Sequence, residues 1–293
     1  MRVVKEKAYA KINLYLDVIA KRGDGFHDIK TVMHSISLYD VVTVSYAPSV
    51  VTNVRMSIAG TRFLPTDDKN LAVRAAKSFL NKAGKTANID IKLEKRIPIS
   101  AGLAGGSSDA AATLRAMNKL FDKVFSEKVL FKIAAELGSD VPYCLYAKTA
   151  LCEGRGEILT KLPDNLKLNV VVAISNERVS TPMAYGKLDA LYSDFDGTKS
   201  ADSAGYYSRL ISSVNEGKLA SGSLFNIFED AVLPDCKGAT YIKKRLVELG
   251  ACDALMSGSG PSVFAIFADE KTALEAIEAF KKENIRAYYA ESV

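Results

Sequence analysis

An eleven-residue segment without a charged side chain, Pro98 to Ser108, is the part of the chain best suited to bind an anion. It holds three glycines, ends in two serines, and precedes a stretch predicted to be helical from near Asp109. Small residues let the main chain approach a ligand closely, and the first N–H groups of a helix have no partner inside the helix. Because such groups attract phosphate, the segment predicts a nucleotide or another phosphate-bearing ligand.

The glycine spacing excludes two common phosphate-binding motifs. No lysine follows Gly105-Gly106, so the P-loop pattern is absent. The glycines do not fit the dinucleotide-binding fingerprint either. A tight turn before a helix is the plain structural alternative, and the absence of charge along the whole segment favours phosphate.

A second glycine-rich turn, Ser257 to Ser262, lies between two predicted strands. Taken alone it is weak support for a site, because hairpins often use glycine. Together with the first segment it predicts two loops that converge on one ligand from two domains.

Two charged residues could act chemically on such a ligand. Asp140 stands two residues before Pro142, a pattern typical of a helix N-cap, but also of a carboxylate held to accept a hydroxyl proton. Lys11 lies in an apolar segment, where an amine is costly unless it reaches water or an anion. A lysine beside a carboxylate keeps it ionised and stabilises transferring phosphate charge. Sequence alone does not rank these two above the other charged residues.

The elements that must position these groups alternate between strands and helices. Apolar periodicity predicts strands over residues 5–18, 41–46, 88–94, 168–174, 253–256, 263–267 and 287–290. It predicts helices over residues 71–82, 108–120, 127–137, 241–249 and 270–282. Gly138 is expected to end the third helix in a left-handed conformation, and residues 189–205 are predicted to be a surface connection.

The C-terminal order of strand, helix, two strands, helix and strand indicates a ferredoxin-like split unit. A boundary near residues 161–165 divides the chain into domains 1–162 and 163–293.

Composition is that of an ordinary globular protein, with 48% hydrophobic and 25% charged residues. The net charge of +5 and the lack of a basic tract argue against a nucleic-acid partner. The first residues contain no long apolar stretch, so neither a signal peptide nor a membrane span is predicted there. The spacing of four cysteines and two histidines predicts neither a zinc site nor disulfides, so we expect a cytoplasmic protein with reduced thiols.

Three separated segments resemble the GHMP kinase superfamily: Ala10 to Leu14, Pro98 to Ser108, and Ser257 to Gly260. A closer resemblance, over essentially the whole chain, is to the branch of this superfamily that acts on a cytidine-diphosphate substrate. The residues that carry it are Lys21 to His27, Thr31, Gly138 to Pro142, and Asn226 to Glu229.

This resemblance implies an α+β, two-domain GHMP kinase architecture. The N-terminal domain would be ribosomal protein S5 domain 2-like and the C-terminal domain ferredoxin-like. It also implies an ATP-dependent kinase of the non-mevalonate isoprenoid pathway. The enzyme would phosphorylate the 2-hydroxyl of 4-diphosphocytidyl-2-C-methyl-D-erythritol, with ATP and Mg²⁺ as cofactors. Its partner would be this small molecule, and the oligomeric state, monomer or weak homodimer, stays open.

By the same resemblance, Asp140 is the catalytic base and Lys11 its charged partner. The substrate-binding residues would be Asn13, Phe26, His27, Thr181 and Tyr185, with the aromatic rings stacking on cytosine. The nucleotide-binding residues would be Asn70, Lys95, Pro98, Ile99, Ser100, Ala101, Gly102, Leu103, Ala104, Gly105, Gly106, Ser107 and Ser108. No distinctive protein ligand set for the metal is predicted, and only Ser107 and Ser108 are candidate contributors.

Two positions depart from the family pattern. Ala104 stands where glycine is usual, and we expect an ordinary negative φ there, because a left-handed alanine costs roughly 1–2 kcal/mol. Phe26 stands where tyrosine is commoner, which keeps a stacking face and loses a hydroxyl. Two alternative functions are another GHMP kinase, of the homoserine or mevalonate type, and a nucleotide-binding regulator without catalysis.

Overall fold

The computed structural model describes residues 2–192 and 198–293. Its strands are β1 Arg2–Lys21, β2 His27–Pro48, β3 Asn53–Ala59, β4 Ala87–Glu94, β5 Ala150–Glu153, β6 Ile158–Lys161, β7 Asn169–Ile174, β8 Phe225–Asn226, β9 Asp253–Met256, β10 Val263–Phe267 and β11 Arg286–Glu291. Its helices are α1 Leu71–Ala83, α2 Gly105–Leu120, α3 Glu127–Leu137, α4 Val141–Tyr146, α5 Thr181–Leu191, α6 Thr198–Glu216, α7 Phe228–Val232, α8 Lys237–Glu248 and α9 Glu270–Lys282. No helix among these described residues is long and apolar enough to cross a membrane.

The chain forms two compact units that interleave along the sequence. The first contains the residues up to Ala10, Tyr39–Pro98 and Ala104–Ala147. The second contains Lys11–Leu38, Ile99–Leu103 and Lys148–Val293. The division into domains 1–162 and 163–293 stays a prediction.

The first unit packs α1 against β3 and β4, and the second half of β2 pairs with β4. Strands β3 and β4 pair in parallel, and β2 and β4 pair antiparallel from Val41 opposite Glu94. Helix α1 follows Asn70, whose side chain accepts a hydrogen bond from Ala72 N, and it ends at left-handed Gly84. Its buried face includes Phe79, which lies in the core of this unit.

The second unit contains a four-stranded antiparallel sheet in the order β11-β7-β10-β9. Helices α8 and α9 cover it through Leu246 and Phe280, which are buried in the same apolar cluster as Val171 and Phe267. Continuous apolar runs form β7 and β10 because both faces of these strands are buried. In the same unit β8 pairs in parallel with β1, and β5 pairs antiparallel with β2 and β6.

The predicted order of strand, helix, two strands, helix and strand is confirmed by β7, α8, β9, β10, α9 and β11. The predicted bounds of α3, β9, β10 and α9 match the structure at both ends. Strands β1 and β2 extend beyond their predicted segments, which cover only parts of them.

Three local predictions are wrong. Gly138 ends α3 with φ 170°, which is extended backbone and not left-handed, because the chain runs straight on toward α4. Helix α2 begins at Gly105 and not near Asp109, so the predicted start at residue 108 is late by a turn. Residues 189–191 lie in α5 and residues 198–205 in α6, where a surface connection was expected. The middle of that segment, residues 193–197, lies outside the described residues.

Candidate active site

Lys11 is a buried lysine with neutral hydrogen-bond partners. It lies in β1, and its side chain is 4% exposed. Its Nζ donates to Asn13 Oδ1 at 2.7 Å and to the Gly102 carbonyl at 2.9 Å. Within the described residues of the second unit, no carboxylate forms an ion pair with it. A buried ammonium without a countercharge is costly, and a bound anion would offset that cost.

Asn13 is held so that its oxygen faces this ammonium. Its Nδ2 donates to Thr31 Oγ1 at 2.8 Å, and that hydroxyl in turn donates to the Tyr15 carbonyl at 2.6 Å. The alternation of a strand places Lys11, Asn13 and Tyr15 on one face of β1. The structure therefore brings together two residues that the sequence predicted, Lys11 and Asn13, and adds Thr31 as their support.

The two glycine-rich segments touch each other within the second unit. Ser257 Oγ donates to the Gly102 carbonyl at 3.1 Å. A Cβ atom on Gly102 would lie 2.0 Å from the Ser257 carbonyl oxygen, so only glycine fits at residue 102. Thr181, at the start of α5, has its Oγ1 3.0 Å from Ser259 Oγ. The contact between the two segments is observed, and their convergence on one ligand stays a prediction.

The glycine-rich segment Pro98 to Ser108 turns into α2 through residues with positive φ. Ser100 has φ 56°, Gly102 70° and Ala104 54°. The expectation of a negative φ at Ala104 is wrong. The Leu103 carbonyl accepts a hydrogen bond from Lys11 N at 3.2 Å, which holds Leu103 in place. The Ala104 carbonyl accepts from Ser108 N at 2.9 Å, which begins the first turn of α2. A left-handed residue between these two bonds makes the change of direction.

The glycines that begin α2 have different reasons to be small. A Cβ atom on Gly105 would lie 2.9 Å from Lys95 Nζ and 3.1 Å from Ile97 Cγ2, so a larger residue would have to displace these two side chains. A Cβ atom on Gly106 would have only Leu71 Cδ1, at 3.9 Å, as a neighbour. Packing therefore does not require glycine at residue 106. Phosphate binding by the first N–H groups of α2, beside this open position, stays a prediction.

The two serines after these glycines differ in what they can offer a ligand. Ser108 is buried, and its hydroxyl donates to the Tyr9 carbonyl at 2.5 Å. Ser107 is half-buried, which leaves it as the better candidate to contact a metal or phosphate. Among the described residues no group of three or more His, Cys, Asp or Glu side chains could hold a metal ion.

Lys95 belongs to a buried charge cluster in the first unit. Its Nζ lies 2.5 Å from Asp40 Oδ2 and 2.7 Å from Asp109 Oδ2, and the three side chains are at most 5% exposed. Asp40 also accepts from Arg96 N and Ile97 N. The role predicted for Lys95, lining the nucleotide, stays a prediction.

The cluster holds two carboxyl groups and one ammonium. Burial raises the pKa of Asp109 to about 8, although Lys95 acts to lower it. Asp109 Oδ1 has no hydrogen-bond partner among the described residues. Asp40 and Asp109 were not predicted as site residues from the sequence. The usable signal was a lone aspartate between Tyr39 and Val41, next to a predicted apolar strand.

Two predicted residues lie at the starts of helices in the first unit. Asn70 caps α1 and donates its Nδ2 to the Pro65 carbonyl at 2.9 Å. Asp140 immediately precedes α4 with φ −82° and ψ −13°, and its side chain makes no capping hydrogen bond. The carboxylate is half-buried. The plain N-cap alternative therefore does not account for Asp140.

His27 and Tyr185 form a stacked pair in the second unit. Their ring centroids are 4.6 Å apart with an interplanar angle of 22°, and His27 Nε2 lies 2.7 Å from Asp189 Oδ1. Asp189 also accepts from Lys21 Nζ at 2.6 Å. Partial burial acts to raise the pKa of Asp189, but the bonds from Lys21 and His27 outweigh it and hold that pKa below its usual value.

Phe26, next in the chain to His27, is 54% exposed, with the Arg155 guanidinium 4.9 Å from its ring centroid. It is not a core residue. The exposed ring of Phe26 therefore stands next in the chain to the imidazole of His27. The structure adds Asp189, whose hydrogen bond fixes the orientation of that imidazole.

Comparison with known proteins identifies the family. Residues 70–148 match the GHMP kinases N terminal domain, and residues 212–286 match the GHMP kinases C terminal domain. A 4-diphosphocytidyl-2-C-methyl-D-erythritol kinase of Lachnospira eligens is 40% identical over 276 residues, 93% of this chain and 91% of the relative. The kinase of the same name from Clostridium acetobutylicum is 38% identical over 98% of this chain and 99% of its own.

This chain belongs to the GHMP kinases, in the family of 4-diphosphocytidyl-2-C-methyl-D-erythritol kinases. A solved structure named 4-(cytidine 5'-diphospho)-2C-methyl-D-erythritol kinase superposes with a TM-score of 0.80 at 30% identity, covering 98% of each chain. The two-domain GHMP kinase architecture predicted from the sequence is confirmed by these matches.

Membership of the GHMP kinases gives the glycine-rich segments a common context. Gly102 lies in the N-terminal match, and Ser257 lies in the C-terminal match. The bond between Ser257 and Gly102 therefore links the two family domains through a residue that each contributes.

Proposed function

We propose that this chain is the ATP-dependent kinase that phosphorylates the 2-hydroxyl of 4-diphosphocytidyl-2-C-methyl-D-erythritol in the non-mevalonate isoprenoid pathway. The observation that carries the phosphoryl-transfer chemistry is Lys11, a buried ammonium whose partners are the neutral oxygens of Asn13 and Gly102. The assignment of the substrate is supported by relatives at 38–40% identity that are named 4-diphosphocytidyl-2-C-methyl-D-erythritol kinase. Mg²⁺ accompanies ATP, and Ser107 is the candidate to contact it.

ATP supplies the transferable γ-phosphoryl group. The 2-hydroxyl oxygen forms a bond to the γ-phosphorus, the bond from that phosphorus to the bridging oxygen breaks, and ADP leaves. Asp140 accepts the hydroxyl proton, and Lys11 stabilises the charge on the transferring group. The N–H groups at the start of α2 bind phosphate oxygens, with room left by Gly106. Alignment and charge stabilisation provide most of the catalysis in such reactions.

The cytidine end of the substrate is assigned to residues of the second unit. Phe26 offers an exposed ring for stacking, and stacking of a base on an aromatic ring contributes roughly 1–3 kcal/mol. His27 is held by Asp189 and Tyr185, so its orientation is fixed before the substrate arrives. Thr181 is assigned to the substrate because it lies against the glycine turn at Ser259.

The deciding experiment measures ADP release with ATP, Mg²⁺ and the cytidylyl substrate, and identifies the 2-phosphate product by NMR. Homoserine and mevalonate, offered in place of the substrate, test the alternative kinases. CDP should inhibit competitively if the Phe26-His27 element binds cytidine. ATP binding without turnover of any of the three alcohols would favour the regulator and overturn the proposal.

Asp140→Asn tests the assigned base. Removal of a general base usually lowers the rate about 10²–10⁴-fold, so we expect a kcat loss of that size with ATP affinity unchanged. Asp68→Asn is the control, because Asp68 is an exposed carboxylate paired with Lys77. Wild-type kcat in Asp140→Asn would contradict the role.

A further inference from the structure

The segment Asn226 to Glu229 has no part in the mechanism above, yet the side chains of buried Asn226 and half-buried Glu229 both bond to the main chain at the glycine turn. Asn226 is in β8, opposite Leu16 of β1, and is 4% exposed. An amide that is buried to this extent must have its hydrogen bonds satisfied by the protein or a ligand.

The Asn226 side chain uses both ends of its amide on main-chain groups. Its Nδ2 donates to the carbonyls of Met256 and Gly258, each at 2.8 Å. Its Oδ1 accepts from Phe228 N at 3.0 Å, which holds the amide in one orientation. The two carbonyls flank Ser257, so Asn226 fixes the residue on each side of that serine.

Glu229 supports the same segment from α7. Its Oε1 accepts from Met256 N at 2.8 Å, and its Oε2 forms an ion pair with Lys243 at 2.5 Å. Both the N–H and the carbonyl of Met256 are therefore bound by side chains of the Asn226 to Glu229 segment. These two bonds hold Met256, the residue that immediately precedes the glycine turn.

The turn transmits this position to Lys11. Ser257 Oγ donates to the Gly102 carbonyl, the same oxygen that accepts from Lys11 Nζ. A Cβ atom on Gly258 would lie 3.2 Å from the Gly102 oxygen and 3.6 Å from Lys11 Nζ, so the turn lies directly against the pair.

We propose that Asn226 is a positioning residue for phosphoryl transfer, acting through Ser257 and the Gly102 carbonyl on the ammonium of Lys11, with Glu229 holding the start of the turn. The inference rests on the proposed kinase function. It assigns Asn226 no contact with substrate. A displacement of about 1 Å in a catalytic group can cost about 10²-fold in rate, so a loosened turn is expected to affect turnover more than binding.

The test compares Asn226→Ala, Ser257→Ala and the double variant by kcat and KM, per folded enzyme, with ATP and the cytidylyl substrate. Asn226→Ala should lower kcat about 10–100-fold, while the KM for the cytidylyl substrate changes less than about threefold. Ser257→Ala should lower kcat by a smaller factor. The double variant should resemble Asn226→Ala alone, because both changes act through one contact.

Asn118→Ala is the matched control, since Asn118 also binds a turn by both ends of its amide, at the N–H and carbonyl of Phe125. It should lower the melting temperature without lowering kcat. The NMR signal of the Lys11 ammonium gives a readout independent of turnover: it should shift in Asn226→Ala and not in Asn118→Ala.

Three results would overturn the inference: a kcat for Asn226→Ala within twofold of wild type, multiplying losses in the double variant, or an unshifted Lys11 signal. If Asn226→Ala does not fold, Ser257→Ala decides the question, and an unchanged kcat in that variant would refute the path through Ser257. Wild-type turnover of the cytidylyl substrate tests the proposed function separately, while the ratio of variant to wild type and the NMR shift test the inference.

Discussion

The ammonium of Lys11 donates to the main-chain carbonyl of Gly102 at 2.9 Å. A carbonyl carries only a partial negative charge, so this bond orients the ammonium without neutralising it. The lysine is therefore placed and buried while its charge remains available to an anion.

Lys11→Met should separate stability from activity. Methionine keeps most of the apolar stem and removes a buried cation that has no ion-pair partner among the described residues of the second unit. This gain should offset the loss of the bonds to Asn13 and Gly102, so we expect the melting temperature to rise or stay level. Loss of one charged donor to the transferring phosphoryl group should lower kcat about 10²–10³-fold. Calorimetry and ADP release measure the two effects. Lys77→Met, at an exposed ion pair, is the control, and a strongly lowered melting temperature in Lys11→Met would contradict the account.

Gly106→Ala tests whether the open space at the start of α2 belongs to a ligand. Alanine has room in the protein and favours helix by roughly 0.5–1 kcal/mol over glycine, so stability should not fall. ATP should bind at least about tenfold more weakly, because a methyl group would occupy the place of a phosphate. Gly205→Ala, at an unobstructed glycine inside α6, should match the stability change and leave ATP affinity intact. If titration calorimetry gives the same ATP dissociation constant for wild type and Gly106→Ala, the assignment is refuted.

Ala104→Gly should raise the free energy of unfolding. The left-handed φ of 54° costs alanine roughly 1–2 kcal/mol, and glycine loses part of that gain through its freer unfolded chain. We expect a net increase of roughly 0.5 kcal/mol in urea unfolding. Ala279→Gly, inside α9, should instead lower stability by about 1 kcal/mol. A destabilised Ala104→Gly would show that alanine is not strained at this position.

Asp109→Asn should flatten the dependence of stability on pH. The carboxyl ionises near its ordinary pKa of 3.8 in the unfolded chain, whereas burial raises the folded pKa to about 8. Between these values the folded state binds more protons, so this group makes wild-type stability fall as pH rises, until the fall ends above the folded pKa. The free energy of unfolding, measured in urea at about pH 5.5 and pH 8.5, should decrease less between these two pH values in Asp109→Asn than in wild type.

Asp90→Asn is the control for that comparison, because Asp90 is a more exposed carboxylate paired with Arg55. In Asp90→Asn the free energy of unfolding should depend on pH as it does in wild type. An Asp109→Asn protein with the wild-type slope would mean that the buried carboxyl stays ionised throughout this range.

The sequence predicted best the elements whose burial follows one simple period and the short strands formed by a continuous apolar run, such as β10. Strand β4 alternates along Ala87–Glu94, and α9 has a buried stripe that includes Phe280, so both were identified. Strand β2 was only partly found, because residues 31–36 are all buried without alternation and include the polar side chains of Thr31, His34 and Ser35. Helix α6 was missed because its serines and glycine outweigh an apolar stripe that includes Leu210.

The candidate site was predictable where a local pattern carried it and not where distant residues meet. Lys11 and Gly106 belong to short motifs that can be recognised in the sequence. The bond from Ser257 to Gly102 joins two such motifs, but the spacing along the chain does not reveal which carbonyl accepts. The conformation of Ala104 depends on bonds made by its neighbours, and alanine itself favours the opposite choice.

The interleaving of the two units bears on synthesis of the chain. Every residue of the first unit has been translated by Ala147, whereas the second unit combines Lys11–Leu38 with a segment that ends only at Val293. The nascent polypeptide can therefore complete the first unit on the ribosome, since domains generally fold as units in the order in which they emerge. Lys11 leaves the exit tunnel long before Ser257 exists, so the early strand acquires its final surroundings only after residue 257 has been translated.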